Sequence, residues 1–173
     1  LTITPSKGKT FVTDSLDLSA IARKAGANAA SWVIQENVLL QCGDQQAVAT
    51  MKGVQPSYIG MSHLADHMYS GTAGLSGAQG ATALLGLGLK MDLDAPLDDG
   101  VLAPLRISAP VRGRRLSKFQ QGAFERVNVP VSGTFTINME FDTRYVLVPF
   151  DLAAHVLHYN GEANALELQL AAK

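Results

Sequence analysis

The sequence predicts an α+β (mixed α/β) fold in which two segments far apart along the chain form one lobe. Residues 9–55 follow the order strand, helix, strand, strand, and residues 145–172 follow the order strand, helix, strand. Residues 57–140, between them, are dominated by short strand patterns. We therefore expect an α/β lobe formed by residues 1–56 and 141–173, with a mostly β lobe of residues 57–140 inserted in it.

The first segment carries the clearest local signals. A helix should begin at Ser15 or Asp17, because either side chain can accept backbone hydrogen bonds at a helix start. Leu18 and Ile21 fall on its apolar face, and Gly26 is a suitable end. The strands predicted here cover residues 9–15, 27–42 and 45–54, and the last two are joined by a hairpin turn at Gly43-Asp44.

The middle segment alternates strand patterns with turn residues. "MSHLADHMYSG" (61–71) predicts a short helix that begins after Ser62, and "GTAGLSGAQG" (71–80) predicts a flexible glycine-rich loop. The strand over 101–111 contains prolines, which predicts a position at a sheet edge. The remaining elements are a strand that turns into a helix over 83–93, a turn over 94–100, a polar excursion over 112–126 and a strand over 127–138.

The last segment returns to an α/β pattern. A strand over 145–150 precedes a helix that we expect to begin at Asp151 and to end near Asn160-Gly161. In "NALELQLAA", leucines alternate with glutamate and glutamine, which is typical of a strand with one buried face.

The composition excludes several classes of partner and structure. The formal net charge of -1 gives no overall field that would attract nucleic acid or an anionic membrane surface. The single cysteine excludes an internal disulfide. No apolar run approaches the roughly 20 residues needed to cross a bilayer.

Two glycines two residues apart, Gly86 and Gly88, resemble the start of a nucleotide-binding turn. A dinucleotide fingerprint needs a third glycine, and its position is occupied by Met91. A Walker-type loop needs Ser or Thr after lysine, and Met91 follows Lys90. We therefore expect these glycines to turn a strand into a helix whose apolar face is formed by Leu85, Leu89 and Leu93.

Two histidine pairs have a spacing that could hold a metal ion. His63 and His67 are four residues apart on the predicted helix, and His155 and His158 are three apart on another. A catalytic zinc site needs a third ligand and a general base, and the H-E-x-x-H pattern is absent. Solvated histidines on the polar face of a helix are the favoured interpretation, so we predict no metal or other cofactor.

Nucleophile and calcium patterns are equally incomplete. Cys42 has no histidine near it in sequence, which predicts an unreactive thiol. Asp92, Asp94, Asp98 and Asp99 lack the EF-hand spacing, because proline and leucine interrupt them and no glutamate closes the loop.

The basic run "RGRRLSKF" is the most distinctive surface feature. It could bind phosphate, an acidic partner or lipid head groups, although a solvated loop is the more common role of such a run. As partner-contact residues the sequence predicts Arg112, Arg114, Arg115, Lys118 and Phe119, with the glycine-rich 71–80 loop as a second contact.

Three phrases together resemble a known family. They are "ASWVIQENVLLQCGDQQAVATMKGVQPSYIGM" (30–61), "ATALLGLGLKMDLDAPLDDG" (81–100) and "FDTRYVLVPFDLAAHVLHYNGEANALELQL" (141–170). Their order and spacing resemble the extracytoplasmic (periplasmic core) domain of MacB-like and lipoprotein-releasing ABC transporter permeases. Within the first phrase the likeness is carried by Lys52, Gly53, Val54, Pro56 and Tyr58.

The resemblance implies a permease whose outer domain has a membrane-proximal α/β lobe and an inserted β lobe. Because the family's segment continues with a further helix and strand, we expect the membrane-proximal lobe to be incomplete after Lys173. The resemblance implies no catalysis and no cofactor in this domain. It implies partners in a cytoplasmic ATPase subunit, a second permease protomer and an envelope substrate or lipoprotein. The location implied is the cytoplasmic (inner) membrane, with this domain on the periplasmic side and membrane contact only through flanking helices.

Three functional hypotheses remain open on the sequence. The first is the extracytoplasmic domain of a transporting permease for lipoprotein release or export. The second is a permease that relays force or senses signals without transport. The third is a soluble metal-dependent hydrolase that uses His63, His67 and an acidic residue.

Overall fold

A computed structural model describes residues 1–95, 103–111 and 123–171 of the chain. The helices are α1 (Leu18–Ala25), α2 (Ser57–Met61), α3 (Leu87–Asp92), α4 (Met139–Asp142) and α5 (Phe150–Val156). The strands are β1 (Thr2–Ile3), β2 (Phe11–Val12), β3 (Ala27–Cys42), β4 (Gln45–Val54), β5 (Met68–Gly71), β6 (Ser76–Gly77), β7 (Gly80–Ala81), β8 (Ala83–Gly86), β9 (Ala103–Pro110), β10 (Phe124–Phe135), β11 (Tyr145–Pro149), β12 (Glu162–Ala163) and β13 (Ala165–Leu170). The predicted mixed α+β fold is confirmed.

Six of these strands form a closed ring of backbone pairing. Around the ring the order is β3, β4, β11, β8, β10, β9 and back to β3. The long strand β3 makes closure possible, because its first half pairs with β13 and its second half pairs with β4 on one side and β9 on the other. The mixed sheet is therefore barrel-like in this part.

The inside of the ring is an aliphatic core. Alternate residues of each ring strand belong to one buried cluster, as expected when successive side chains of a strand point to opposite faces. Leu85, Leu89 and Leu93 join this cluster, which confirms the predicted apolar face of the strand-to-helix segment. The inward-facing residues are Val38, Leu40, Cys42, Ala49, Met51, Ala83, Leu85, Leu105, Ile107, Ala109, Val129, Val131, Val146 and Val148.

Two helices pack on opposite faces of the sheet at the end of β4. The Cα of Gly53 lies so close to Ala153 of α5 that a β-carbon there would collide with the alanine methyl group. Only glycine therefore allows α5 to pack on β4 at this distance. On the opposite face of β4, which carries Lys52, α2 places Tyr58 in a second buried cluster with Leu84, Leu147 and Phe135.

The glycines of the strand-to-helix segment are required by a close approach rather than by a turn. Gly86 has an ordinary φ of -61°, but a β-carbon on it would collide with the carbonyl oxygen of Asp142 at the end of α4. A β-carbon on Gly88 would lie 2.5 Å from Cγ2 of Thr143. These glycines thus let α3 and α4 pack together. A structural role therefore accounts for both Gly86 and Gly88.

Several local predictions are confirmed. Asp17 caps α1 by accepting hydrogen bonds from the backbone N–H groups of Ser19 and Ala20, and Gly26 ends the helix with a φ of 65°. The hairpin turn at Gly43-Asp44 joins β3 and β4, which have the predicted bounds.

The predicted helix over 61–71 is wrong. His63 adopts a left-handed conformation with a φ of 53°, which interrupts any helix at that point. The chain forms α2 before it, a 3-10 turn at Leu64–His67 after it, and then β5, which pairs with β10.

Three other boundaries differ from the predictions. The strand over 9–15 is reduced to Phe11–Val12, followed by a 3-10 turn at Thr13–Ser15. Pro149 rather than Asp151 occupies the cap position of α5, and the helix ends at Val156. The strand predicted from 127 begins at Phe124.

The predicted edge position of β9 is also wrong. β9 pairs with β10 along its length and with β3 at Arg106, Ile107 and Ser108. Its prolines, Pro104 and Pro110, lie outside those three positions, so the missing proline N–H groups do not prevent pairing with β3.

The ring contains strands from all the predicted segments. β3 and β4 come from residues 1–56, β8, β9 and β10 from residues 57–140, and β11 from residues 141–173. The division into two lobes stays a prediction. If the chain has two lobes, strands of both belong to the same sheet. Over the part of the chain that the structure describes, no helix has the length and apolar character needed to cross a membrane.

Replacing Gly86 with alanine should lower the free energy of unfolding by about 2 kcal/mol, because the new methyl group collides with the backbone of α4. Urea unfolding monitored by circular dichroism measures this change. The matched control is Gly60→Ala, because Gly60 lies in α2 with open space around it. Alanine favours a helix over glycine, so this variant should be as stable as the native chain or more so. Equal destabilisation by the two variants would contradict the packing role of Gly86.

Candidate functional site

An open groove of about 900 Å³ lies between α2, α5 and the glycine-rich segment. We call it the α2–α5 groove. Its volume lies within the range of roughly 300–1,000 Å³ that is typical of small-molecule sites. It is lined by Val54, Gln55, Pro56, Ile59, Ala73, Gly74, Leu75, Ser76, Ala81, Pro149, Phe150, Asp151, Leu152 and His155.

The groove lies at the carboxyl ends of two parallel strands. β4 and β11 run parallel, and their last residues, Val54 and Pro149, are paired and both line the groove. The chain leaves β4 directly into α2 and leaves β11 directly into α5. Crevices at such strand ends are common binding positions, because the two departing helices form walls that the sheet holds in place.

The third wall is the glycine-rich segment, which side-chain hydrogen bonds hold against the sheet. The carbonyl oxygen of Gly74 accepts hydrogen bonds from Ser132 Oγ at 2.9 Å and from Thr82 Oγ1 at 3.2 Å. The backbone N–H of Thr82 donates to the carbonyl oxygen of Leu75 at 3.0 Å. The wall is therefore anchored on β10 and on the residue before β8.

The groove surface combines an apolar floor with a small number of polar groups. Ile59, Leu75, Phe150 and Leu152 are half-buried along it. The side chain of Gln55 is fixed, because its Oε1 accepts a hydrogen bond of 2.9 Å from the backbone N–H of Trp32. The remaining polar side chains of the lining are those of Ser76, Asp151 and His155, all exposed.

A buried ion pair between Lys52 and Glu167 connects α2 to the sheet. Nζ of Lys52, whose side chain is only 5% exposed, lies 2.6 Å from Oε1 of Glu167 and donates a hydrogen bond of 2.6 Å to the Tyr58 hydroxyl. Burial raises the pKa of Tyr58 above its usual range, and the negative charge of Glu167 acts in the same direction. The pair thus connects β4, α2 and β13, so the helix that forms one groove wall is tied to two strands.

The sequence-predicted contact residues have different outcomes. Arg112, Arg114, Arg115, Lys118 and Phe119 lie outside the described residues. The glycine-rich loop, the second predicted contact, does line the groove at residues 73–76.

The histidine pairs do not form metal sites in the described part of the chain. Nδ1 of His63 lies 3.9 Å from Oδ2 of Asp66, and its Nε2 lies 3.1 Å from Nε2 of Gln169. His155 lines the α2–α5 groove, whereas His158 has a φ of 57° and lies 3.5 Å from Glu125. Among the described residues no group of three His, Cys, Asp or Glu side chains could hold a metal ion.

Cys42 is buried in the ring core. Burial raises the pKa of its thiol, and the nearby charge of Asp94 acts in the same direction. Since the thiolate is the reactive form, the side chain is unsuited to nucleophilic chemistry, as predicted. Asp98 and Asp99 lie outside the described residues.

Comparison with known proteins identifies solved structures with a similar fold. The sequence matches no protein-family model, and none of the curated proteins matches it. Solved structures do match, and they define a class of fold: extracytoplasmic domains of ABC transporter permeases. The predicted resemblance is confirmed at the level of the fold.

The particular structures are domains of three bacterial proteins. The extracellular domain of the noncanonic ABC-type transporter YknZ from Gram-positive bacteria is 11% identical, with a TM-score of 0.63 over 96% of this chain and 76% of that chain. The periplasmic region of MacB from Actinobacillus actinomycetemcomitans is 10% identical, with a TM-score of 0.61 over 99% and 74%. A domain of a Porphyromonas gingivalis protein described as a permease is 13% identical, with a TM-score of 0.50 over 88% and 61%.

Glu167→Gln should lower the free energy of unfolding by about 3 kcal/mol, because it leaves the buried Lys52 cation without its partner. Urea unfolding measures the change. Adding Lys52→Met should recover most of the loss, since no unpaired charge then remains. The matched control is Glu140→Gln, which removes an exposed partner of Arg144 and should change stability little. Similar small effects of both glutamate substitutions would show that the buried pair does not support α2.

Proposed function

We propose that this chain is the extracytoplasmic domain of an ABC transporter permease subunit. In this role it contacts a substrate or partner in the envelope and relays motion that a cytoplasmic ATPase drives. The process that we propose is lipoprotein release or export. The observation that carries the proposal is the likeness of fold to two such domains, which extends over 96% and 99% of this chain.

The geometry supports a relay role. The closed ring of six strands fixes the positions of β4 and β11, from which both helical walls of the α2–α5 groove depart. Because a closed sheet has no free edge at which strands can separate, a displacement applied to one part of the ring moves the groove with it. We propose that the groove and the glycine-rich loop form the contact surface.

The proposed assembly has several parts outside this chain. The partners are the ATPase subunit, a second permease protomer and the envelope substrate or lipoprotein. The proposed location is the periplasmic side of the cytoplasmic membrane, reached through flanking membrane helices. The domain itself would act without catalysis or a cofactor.

The two-lobe division is part of the proposal. With residues 1–56 and 141–173 next to the membrane and residues 57–140 inserted, the groove lies where the two lobes meet. Its lining comes from 54–56 and 149–155 of the first lobe and from 59 and 73–81 of the second. A change in the relation of the lobes would therefore change the shape of the groove.

Cysteine labelling of the full-length parent protein in cells tests the proposed location. Met139 is 82% exposed, so a Met139→Cys variant should react with a membrane-impermeant maleimide added to cells whose cytoplasmic membrane is intact. The native chain is the control, because its Cys42 is buried and should not react. Labelling that appears only after the cytoplasmic membrane is lysed would refute the extracytoplasmic location.

A further inference from the structure

The formal charge of the described lining of the α2–α5 groove is negative. Among the described residues of its lining, Asp151 and His155 are the titratable ones, and none is a lysine or an arginine. With histidine neutral, the described lining carries one formal charge, the negative charge of Asp151. This carboxylate is exposed, and no hydrogen bond or ion pair with another described residue engages it. An exposed acid without a partner at the rim of a groove favours a cation over an anion.

The remainder of the groove favours an apolar ligand of limited size. Half-buried apolar surface is presented by Ile59, Leu75, Phe150 and Leu152. A ligand that removes this surface from water lowers the free energy of the complex. The volume of about 900 Å³ suits a small molecule.

We propose that the α2–α5 groove binds a small amphiphilic cation. The apolar body of the ligand lies on the floor between α2 and α5, and its cationic head group lies beside Asp151. The inference deepens the proposed function and rests on it for the source of the ligand, an envelope substrate. Binding by the chain itself needs no transporter, so the two proposals can fail separately.

Isothermal titration of the purified chain with three amphiphiles of equal chain length tests the charge preference. The probes are decyltrimethylammonium, decyl maltoside and decyl sulfate, each kept below its micelle concentration. We expect the cation to bind about fivefold more tightly than the neutral probe, which is the ratio that an attraction of about 1 kcal/mol gives. The anion should bind most weakly. Equal or tighter binding of the anion, or no binding of any probe, would overturn the proposal.

Three variants locate the binding. Asp151→Asn should remove the preference for the cation and leave binding of the neutral probe unchanged. Asp44→Asn is the matched control, because Asp44 lies in the hairpin turn at the opposite end of β4 from the groove and should keep the preference. Ser76→Trp places a large side chain at an exposed wall position and should weaken binding of all three probes. Thermal unfolding confirms that each variant is folded.

The outcomes separate the site from its alternatives. An unchanged preference in Asp151→Asn, or unchanged binding in Ser76→Trp, would show that the probes bind elsewhere and would overturn the proposal. Light scattering that shows a dimer of the native chain and a monomer of Ser76→Trp would overturn it too, because a second chain would then occupy the groove. If the native chain binds the cation as expected but cysteine labelling places the domain in the cytoplasm, the binding site stands and the transporter proposal falls. If labelling succeeds and the titration shows no cation preference, only the ligand class falls.

Discussion

Three residue pairs between β9 and β3 close the sheet: Leu39 with Ser108, Leu40 with Ile107, and Gln41 with Arg106. Without them the strands would form an open mixed sheet with two free edges at this point. With them, one face of six strands is enclosed, and its aliphatic side chains pack on one another and on residues of α3 and α5. Arg106 lies exposed on the outside while its neighbours Leu105 and Ile107 are buried inside, so the register of this one pairing fixes which residues form the core.

The groove is a consequence of the same closure. β4 and β11 are adjacent and parallel in the ring, so the helices that follow them depart from the same end. Gly53 brings α5 onto the sheet, and the Lys52–Glu167 pair fixes α2 through Tyr58. Each helical wall of the groove is therefore held by its own contacts with the sheet. The proposed contact surface belongs to the closed sheet, so a displacement of the sheet would move this surface, as the proposed role requires.

Local sequence signals predicted the elements whose determinants are local. Asp17 and Gly26 define α1, and Gly43-Asp44 defines the β3–β4 turn, because each acts within a few residues of its own position. The helix predicted at 61–71 does not form, because β5 pairs with a strand more than 60 residues away in sequence, and no local pattern signals that pairing. The prolines of β9 predict an edge strand. Whether β9 can pair with β3 depends, however, on where Pro104 and Pro110 lie relative to the paired positions. The sequence predicts a turn at Gly86 and Gly88, whereas their main role is contact with the end of α4.

The groove could not be predicted, because its walls come from three separate segments and no linear motif joins them. The order of three loose phrases was more informative about fold than any single motif, and the likeness to the two permease domains agrees with it. Native-state hydrogen exchange tests whether the six-stranded ring is closed. We predict that the backbone amides of Leu39 and Ser108, which face each other across the β3–β9 pairing, exchange only through global unfolding, with the same free energy as ring amides in β4 and β11. Exchange of these two amides at a much lower free energy, while β4 stays protected, would show that β9 opens independently and that the ring is not closed.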